Sequence, residues 1–269
     1  MANKMDGKTL AEEIRAAVKE EVKKLNGRGI DVGLAVVLVG DDKASGQYYL
    51  ALASACRSTG ITAYRHKLPA NVTLNELLNL INTLNTDERV NGILVFLPLP
   101  GRINSRRVIN SIVPEKDVDG LGAISVGRLA ADESTYQLFM KETPNAWPCM
   151  PLNFLPCTPF GVIRLLESYN VEIKGKHAVV IGKSLAVGKP LATMLLSKEA
   201  TVTVCHRETK DLAAFTRQAD IICSATGREE LIKGDMVKEG VVIVDIGIKV
   251  LPDGKIVGDV DFDSAKKKA

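Results

Sequence analysis

Two parallel α/β domains, one following the other, are the fold class that this 269-residue sequence predicts. Short β-branched runs ended by turns alternate with segments whose apolar residues recur at helical spacing. That alternation occurs twice. Between the two halves, Pro144 to Pro159 holds five prolines, the only tryptophan and two cysteines, which reads as a connection rather than an element. The length also suits two compact cores better than one.

Taken in order, residues 7 to about 26 show helical periodicity. "DVGLAVVLVGDD" (31–42) reads as a buried strand ended by a turn. Ala44 to about Ser58 reads as a helix closed by Gly60; no residue between Lys43 and Arg57 is charged. "ITAYRHKLP" is a second strand, and "TLNELLNLINTLNTD" a second helix with Thr73 or Asn75 as its cap. "VNGILVFLPLP" (90–100) is a third strand, stopped by prolines. In the second half, "KHAVVIG", "ATVTVCH", "ADIICSAT" and "VVIVDIG" read as strands, and "VGKPLATMLLSKE" and "TKDLAAFTRQ" as helices. Strand and helix in alternation imply a parallel sheet in each domain.

Composition narrows the function classes. A formal charge of +3, with lysines and arginines spread along the chain, gives no reason to expect nucleic acid or an anionic membrane as partner. The terminal Lys266–Lys268 run reads as a solvated end. No apolar run approaches the ~20 residues that span a bilayer, and the acid-bearing first helix is neither a signal nor a transit peptide. A cytoplasmic protein is expected. Five cysteines without a CxxC pair, and only three histidines, make a zinc site an unfavoured reading. Cys205 and Cys223 sit in apolar runs and read as small buried residues.

Open parallel sheets bind ligands beyond the carboxyl ends of their strands, which selects the segments after each strand. "VVIGKSLAVGKP" (179–190) is a strand, a glycine turn and a helix start, though not GxGxxG. Gly182 and Gly188 allow close backbone approach, Ser184 can bond a phosphate, and Lys183 and Lys189 add positive charge. At the next strand end, where an acid would bind ribose hydroxyls, His206 and Arg207 stand instead; they favour a 2′-phosphate, hence NADP over NAD. A plain tight turn with surface lysines accounts for the same residues equally well. Asp117 and Asp119 in "PEKDVDGL" read by spacing alone as capping or solvated acids, as alternate acids in a turn usually are, and "FLPLPG" suits a stiff strand exit equally well.

Taken together the segments say more. "DGKTLAEEIR", "VGDDKAS–QYY", "LVFLPLP", "PEKDVDGL", "PCTPFGVIRLL", "VVIGKS–AVGKPLA–LL", "ATVTVCH–T", "DIGI" and "DGKIVGDVDF" occur in one order over nearly the whole chain. The sequence thereby resembles the bifunctional methylenetetrahydrofolate dehydrogenase/methenyltetrahydrofolate cyclohydrolase family. The resemblance implies a folate-binding catalytic domain over residues 1–145, a Rossmann-type NADP-binding domain over 146–269, and a cleft between them. It also implies a homodimer acting on a tetrahydrofolate-type substrate, with NADP as cofactor and NAD as the alternative.

Residue by residue, the resemblance implies that Tyr48 and Asp119 are catalytic and that Tyr48, Phe96, Leu97, Pro98 and Asp119 line the folate site. Gly182, Lys183, Ser184, Val187 and Gly188 would form the phosphate loop. His206, Arg207, Thr226, Gly227, Gly247 and Ile248 would complete the cofactor site. The departures are specific. Leu52 stands where the family carries a lysine four residues after its tyrosine, and Lys43, in the preceding turn, is poorly placed to substitute. Phe96 stands where the strand exit usually carries glutamine. Lys183 replaces an arginine and so lacks the bidentate fork, and Arg207 replaces a serine. Family chains also continue beyond "GDVDF" into a Pro-Gly-Gly segment and a returning helix, whereas residues 131–154 are longer here than the family link.

The departures bear unequally on the two family reactions. Hydride transfer mainly needs two carbons held in contact. Hydrolysis needs an activated water and a stabilised tetrahedral adduct, and removing such a polar group typically costs ~10²-fold or more. The expectation is an NADP-linked dehydrogenase with weak or lost cyclohydrolase activity. A repurposed relative that binds a folate, a nucleotide or a protein is the alternative, followed by a dehydrogenase of a less polar substrate.

Overall fold

The computed structural model describes residues 3–41, 43–131, 154–251 and 254–269. The chain divides into two compact units: Gly7–Leu155, and Pro156–Ala269 together with Met1–Asp6. The boundary expected between residues 145 and 146, the longer 131–154 segment, Trp147 and Cys149 lie essentially outside the described residues.

The first unit is built on a three-stranded, all-parallel sheet in the order β2-β1-β3. Its strands are β1 (Gly33–Val39), β2 (Thr62–Leu68) and β3 (Gly92–Val95). β1 is central and is buried from Ala35 to Val39, as a Val/Leu run covered on both faces requires. β2 lies at the edge, where its Arg65, His66 and Lys67 can reach solvent. β3 ends at Val95, five residues before the expected limit. Phe96 N donates the last ladder bond, to Val37 O at 2.9 Å, and Pro98 and Pro100 then have no N–H to continue it. The Leu97–Pro98 peptide is cis.

Helix α1 (Gly7–Asn26) and helix α2 (Lys43–Thr59) match the helical periodicity. Lys43 is the first residue of α2, not part of the turn before it, because the helix starts one residue earlier than expected; its side chain lies outside what is described. Helix α3 (Leu74–Thr86) buries Leu77, Ile81 and Leu84 on one stripe. Of its two candidate caps, Thr73 is the one used. Glu76 N donates to Thr73 Oγ1 at 3.2 Å, while Thr73 N and Oγ1 both donate to Glu76 Oε2 at 2.7 Å. Helix α4 (Ser105–Ile109), a 3₁₀ turn (Pro114–Lys116) and helix α5 (Ala123–Ala131) follow β3.

The second unit carries a four-stranded, all-parallel sheet in the order β5-β4-β6-β7. Here β4 is His177–Ile181, β5 Thr201–Cys205, β6 Ile221–Ser224 and β7 Val242–Asp245. Helix α6 (Cys157–Ser168) precedes β4, and helix α7 (Gly188–Ser197) follows it and buries Leu191, Met194 and Leu195. Helix α8 (Leu212–Thr216) is shorter than the "TKDLAAFTRQ" pattern suggests. Asp211 adopts a left-handed φ of 46° and caps Ala214 N, so the helix cannot extend backwards. An antiparallel pair, β8 (Lys249–Val250) and β9 (Ile256–Val257), and helix α9 (Phe262–Ala265) are too short to show a period in the sequence.

Cys56, Cys205 and Cys223 are buried, and burial pushes each thiol upwards, Cys223 to about 12, so these three are packing groups rather than nucleophiles. Among the described residues no helix is long and apolar enough to cross a membrane.

The reciprocal cap of α3 yields a stability prediction. Thr73→Ala is expected to cost about 1 kcal/mol in urea unfolding at neutral pH. Hydrogen bonds from the Thr73 backbone, then from its hydroxyl, hold the Glu76 carboxyl below its ordinary range. A depressed folded pKa contributes stability above the ordinary carboxyl range and loses it as pH falls. The gap between wild type and variant should therefore narrow on acidification; a gap that is constant with pH would contradict the reciprocal cap.

Candidate active site

Helix α2 sets Tyr48 and Leu52 one turn apart on a shared face, with Tyr49 beside them. Phe96 arrives from the exit of β3 and is only 5% exposed. Its ring meets Tyr48 edge-on at a centroid distance of 5.4 Å and Tyr49 at 5.9 Å. Val36, Leu38, Tyr49 and Phe96 form one buried cluster, and Leu52 packs against it with Leu34 and Leu94. The two apolar departures therefore meet in a single patch. Tyr48 is 60% exposed, whereas Tyr49 is buried and desolvation raises its phenol. Leu97 and Pro98 are exposed just beyond Phe96.

Asp119 lies half-buried in a turn spanning Asp117–Gly120, closed by Gly120 N donating to Asp117 O at 2.9 Å. The neighbouring acid takes the structural role. Asp117 is buried and its carboxylate accepts from Gly122 N at 2.8 Å and Ser125 Oγ at 2.7 Å, capping the start of α5. A bridge between Asp117 and Ile93 fixes the turn to β3, and the Val118 side chain fills the space above Gly92. Phe96 and Asp119 are thus held by the same strand.

In the second unit, β4 ends at Ile181 and is followed by Gly182, whose φ of 116° suits glycine. The space a side chain would need at Gly188 is taken by the Gly182 carbonyl, so the turn closes backbone on backbone. Ser184 Oγ accepts from Val187 N at 3.1 Å and Gly188 N at 3.3 Å, and Ser184 O from Lys189 N at 3.1 Å. Its hydroxyl acts as acceptor in the loop, which leaves its proton for donation outward. Lys183 and Lys189 flank it, exposed. A helix start, a hydroxyl proton and two lysines could hold an anion there.

Beyond β5, His206 N donates to Thr209 Oγ1 at 2.9 Å and Thr209 N to His206 O at 2.7 Å, while Glu208 N donates to His206 Nδ1 at 3.3 Å. Arg207 pairs with Glu208 at 2.9 Å, both strongly exposed. Thr209, which the sequence reading gave no role, shapes this turn. Beyond β6 and β7 the predicted residues Thr226, Gly227, Gly247 and Ile248 lie at adjacent exits; a side chain on Gly227 would touch Ile248 O at 3.7 Å.

Two acids missed as site residues stand among them. Asp259 Oδ2 accepts from Ser224 Oγ at 2.7 Å, Thr226 N at 2.7 Å and Thr226 Oγ1 at 2.9 Å. Asp245 Oδ1 accepts from Gly247 N at 3.1 Å and Asp259 N at 3.0 Å, and its Oδ2 from Val260 N at 3.0 Å. Burial raises the Asp245 carboxyl above its ordinary range. Both lie inside motifs ("DIGI", "GDVDF") whose available signal was an acid in or just after an apolar strand.

The tetrahydrofolate dehydrogenase/cyclohydrolase catalytic-domain model matches residues 5–119, and the NAD(P)-binding-domain model of the same family matches residues 156–269. The chain belongs to this family. Bifunctional protein FolD of Moorella thermoacetica is 49% identical over 265 residues, covering 98% of this chain and 88% of the relative. The crystal structure of the bifunctional FolD dehydrogenase/cyclohydrolase of Campylobacter jejuni is 48% identical with a TM-score of 0.89, covering 98% of this chain and 88% of that one. The Trypanosoma brucei FolD enzyme, solved with NADP cofactor and inhibitor, is 35% identical with a TM-score of 0.88, covering 100% and 88%. The turn after β4 is accordingly part of the family's NAD(P)-binding domain, and the α2–β3 patch part of its catalytic domain.

Gly188→Ala tests the closure of that turn. A methyl group aimed at the Gly182 carbonyl is expected to cost about 1–3 kcal/mol in chemical unfolding and to weaken dinucleotide binding; an unchanged midpoint would show that the turn has slack.

Proposed function

We propose that the chain oxidises 5,10-methylenetetrahydrofolate to 5,10-methenyltetrahydrofolate with NADP as hydride acceptor, and that the following hydrolysis to 10-formyltetrahydrofolate is weak or absent. The observation that carries the reading is the single apolar patch formed by Leu52 and Phe96 beside Tyr48, in a chain whose phosphate loop keeps its shape and charge. The residues of the second unit fit a dinucleotide: a glycine turn without room for side chains, a serine proton and two exposed lysines. Ser184, Lys183 and Lys189 would hold its phosphates, and His206 with Arg207 its 2′-phosphate. The Arg207–Glu208 pair is solvated, so releasing the guanidinium costs little. NADP, when bound, supplies the nicotinamide carbon that accepts the hydride.

The first unit would position the folate. Asp119, in its fixed turn, accepts from the pterin's N–H groups, and Tyr48 flanks the one-carbon bridge. As the hydride leaves the methylene carbon, a ring-nitrogen lone pair forms the C=N⁺ bond of the methenyl product, so the step needs alignment more than proton transfer. Hydrolysis differs. Water must add to that carbon, lose a proton and pass through a tetrahedral adduct before a C–N bond breaks with protonation of nitrogen. Leu52 and Phe96 offer neither a cation nor a hydrogen bond to that sequence. A homodimer in the cytoplasm, with neither nucleic acid nor membrane as partner, completes the proposal; near-neutral charge supports the absence of polyanionic partners.

The test is a spectroscopic assay that follows reduced nicotinamide and methenyltetrahydrofolate together, with NADP and with NAD. Both should rise with NADP, and the methenyl species should persist. Decay of that species well above the buffer rate would remove the claim about hydrolysis. Absence of both products with either cofactor would favour a repurposed folate- or nucleotide-binding relative, the reading the same apolar patch serves next best.

A coupled pair of reversions tests the patch itself. Leu52→Lys with Phe96→Gln should raise hydrolysis by about tenfold or more over wild type. Leu52→Lys alone should give much less, because its stem would lie against the apolar cluster that holds Phe96. Equal gains from the single and the double variant would contradict the coupling.

A further inference from the structure

We propose that Asp259 is a positioning residue for the nucleotide site, holding the β6 and β7 exits in the register that binds NADP; this rests on the reading that the second unit binds that cofactor. Asp259 is fully buried. One carboxylate oxygen gathers the Ser224 hydroxyl, the Thr226 hydroxyl and the Thr226 N–H, the three groups at the β6 exit. Its other oxygen, Oδ1, has no hydrogen-bond partner among the described residues and presses on Gly247, where any side chain would collide with it. The same carboxylate thus grips one exit by hydrogen bonds and gauges the other by contact.

The arrangement is reciprocal. The Asp245 carboxylate occupies the space above Gly258, and accepts from the Gly247, Asp259 and Val260 N–H groups. Each acid ends one segment and covers the glycine of the other. The Asp259 backbone is anchored without its side chain: Ile232 N donates to Asp259 O at 3.0 Å, Asp261 N to Ile232 O at 2.8 Å, and Ile232 bridges Val260. Truncating the side chain therefore leaves the segment attached, frees the Thr226 turn and opens the space against Gly247, whose N–H stays on Asp245 Oδ1 and Ser224 O.

A buried carboxylate is an expensive way to fill space, and an apolar group of like volume often serves packing as well or better. Three donors on one oxygen fix the direction of the Thr226 turn, which an apolar group could not do. Neither oxygen is solvent-accessible, so Asp259 acts through the loops and does not touch the cofactor.

The experiment compares NADPH binding, by its fluorescence, in wild type, Asp259→Ala and Asp259→Asn, alongside thermal unfolding and KM for both substrates. Asparagine keeps an oxygen for the three donors and sets its amide nitrogen where Oδ1 has no partner. Asp259→Ala should remain folded and weaken NADPH binding and raise KM for NADP by about tenfold, with KM for the folate unchanged; Asp259→Asn should stay near wild type. If Asp259→Ala does not fold, Ser224→Ala removes one donor to the same oxygen, and it should weaken NADPH binding without altering KM for the folate. Wild-type affinity in the folded alanine variant, or in Ser224→Ala where that is the variant tested, overturns the positioning role. So does a loss of stability with unchanged affinity. Failure of wild type itself to bind NADPH overturns the cofactor reading and this inference with it.

Discussion

Val36 and Leu38 in β1, and Val179 and Ile181 in β4, are buried within their parallel sheets, with no face left to solvent. Such a strand can differ in chemistry only where it ends, because any polar side chain along it would lose its water. The candidate site residues at the strand exits follow from that constraint. Phe96 begins where the β3 ladder stops, Gly182 where β4 stops, and Thr226 and Gly247 just beyond β6 and β7. The sheets supply rigidity and the exits supply the groups.

At the exit of β3 the outcome is an apolar surface, and its composition is self-consistent. A leucine on α2 and a phenylalanine after β3 pack into the cluster that already holds Val36, Leu38 and Tyr49. Either alone beside a polar partner would strand that partner against hydrocarbon; together they satisfy each other. The cluster therefore links the two positions energetically as well as spatially, and Tyr48, in edge contact with Phe96, takes its place from the same packing.

At the exits of β6 and β7 the solution is opposite in kind. Asp259 is taken from solvent while Asp245 stays exposed at the end of β7; both carboxyl groups accept from backbone N–H groups, and Asp259 accepts from hydroxyls as well. Gly247 and Gly258 exist as glycines because those carboxylates occupy the space beside them. The second unit thus sets its loop geometry with carboxyl groups, one of them buried, and the first unit uses aromatic contact.

Alternation of β-branched runs with helical-period segments was enough to fix two parallel sheets and the order of their elements, because burial on both faces leaves that pattern in any sequence that folds so. The glycine turn after β4 and the acids of "PEKDVDGL" were legible as types. Their division of labour was not: only the fold showed that Asp117 is the buried cap and Asp119 the neighbour in the turn. The early end of β3, the short α8, the meeting of Leu52 with Phe96 across 44 positions, and the grip of Asp259 on residue 224 were likewise decided by tertiary structure. A sequence records which residues prefer burial or turns, which are local properties. Which buried groups meet depends on how the strands stack and where each one stops, and that is set by the whole sheet at once.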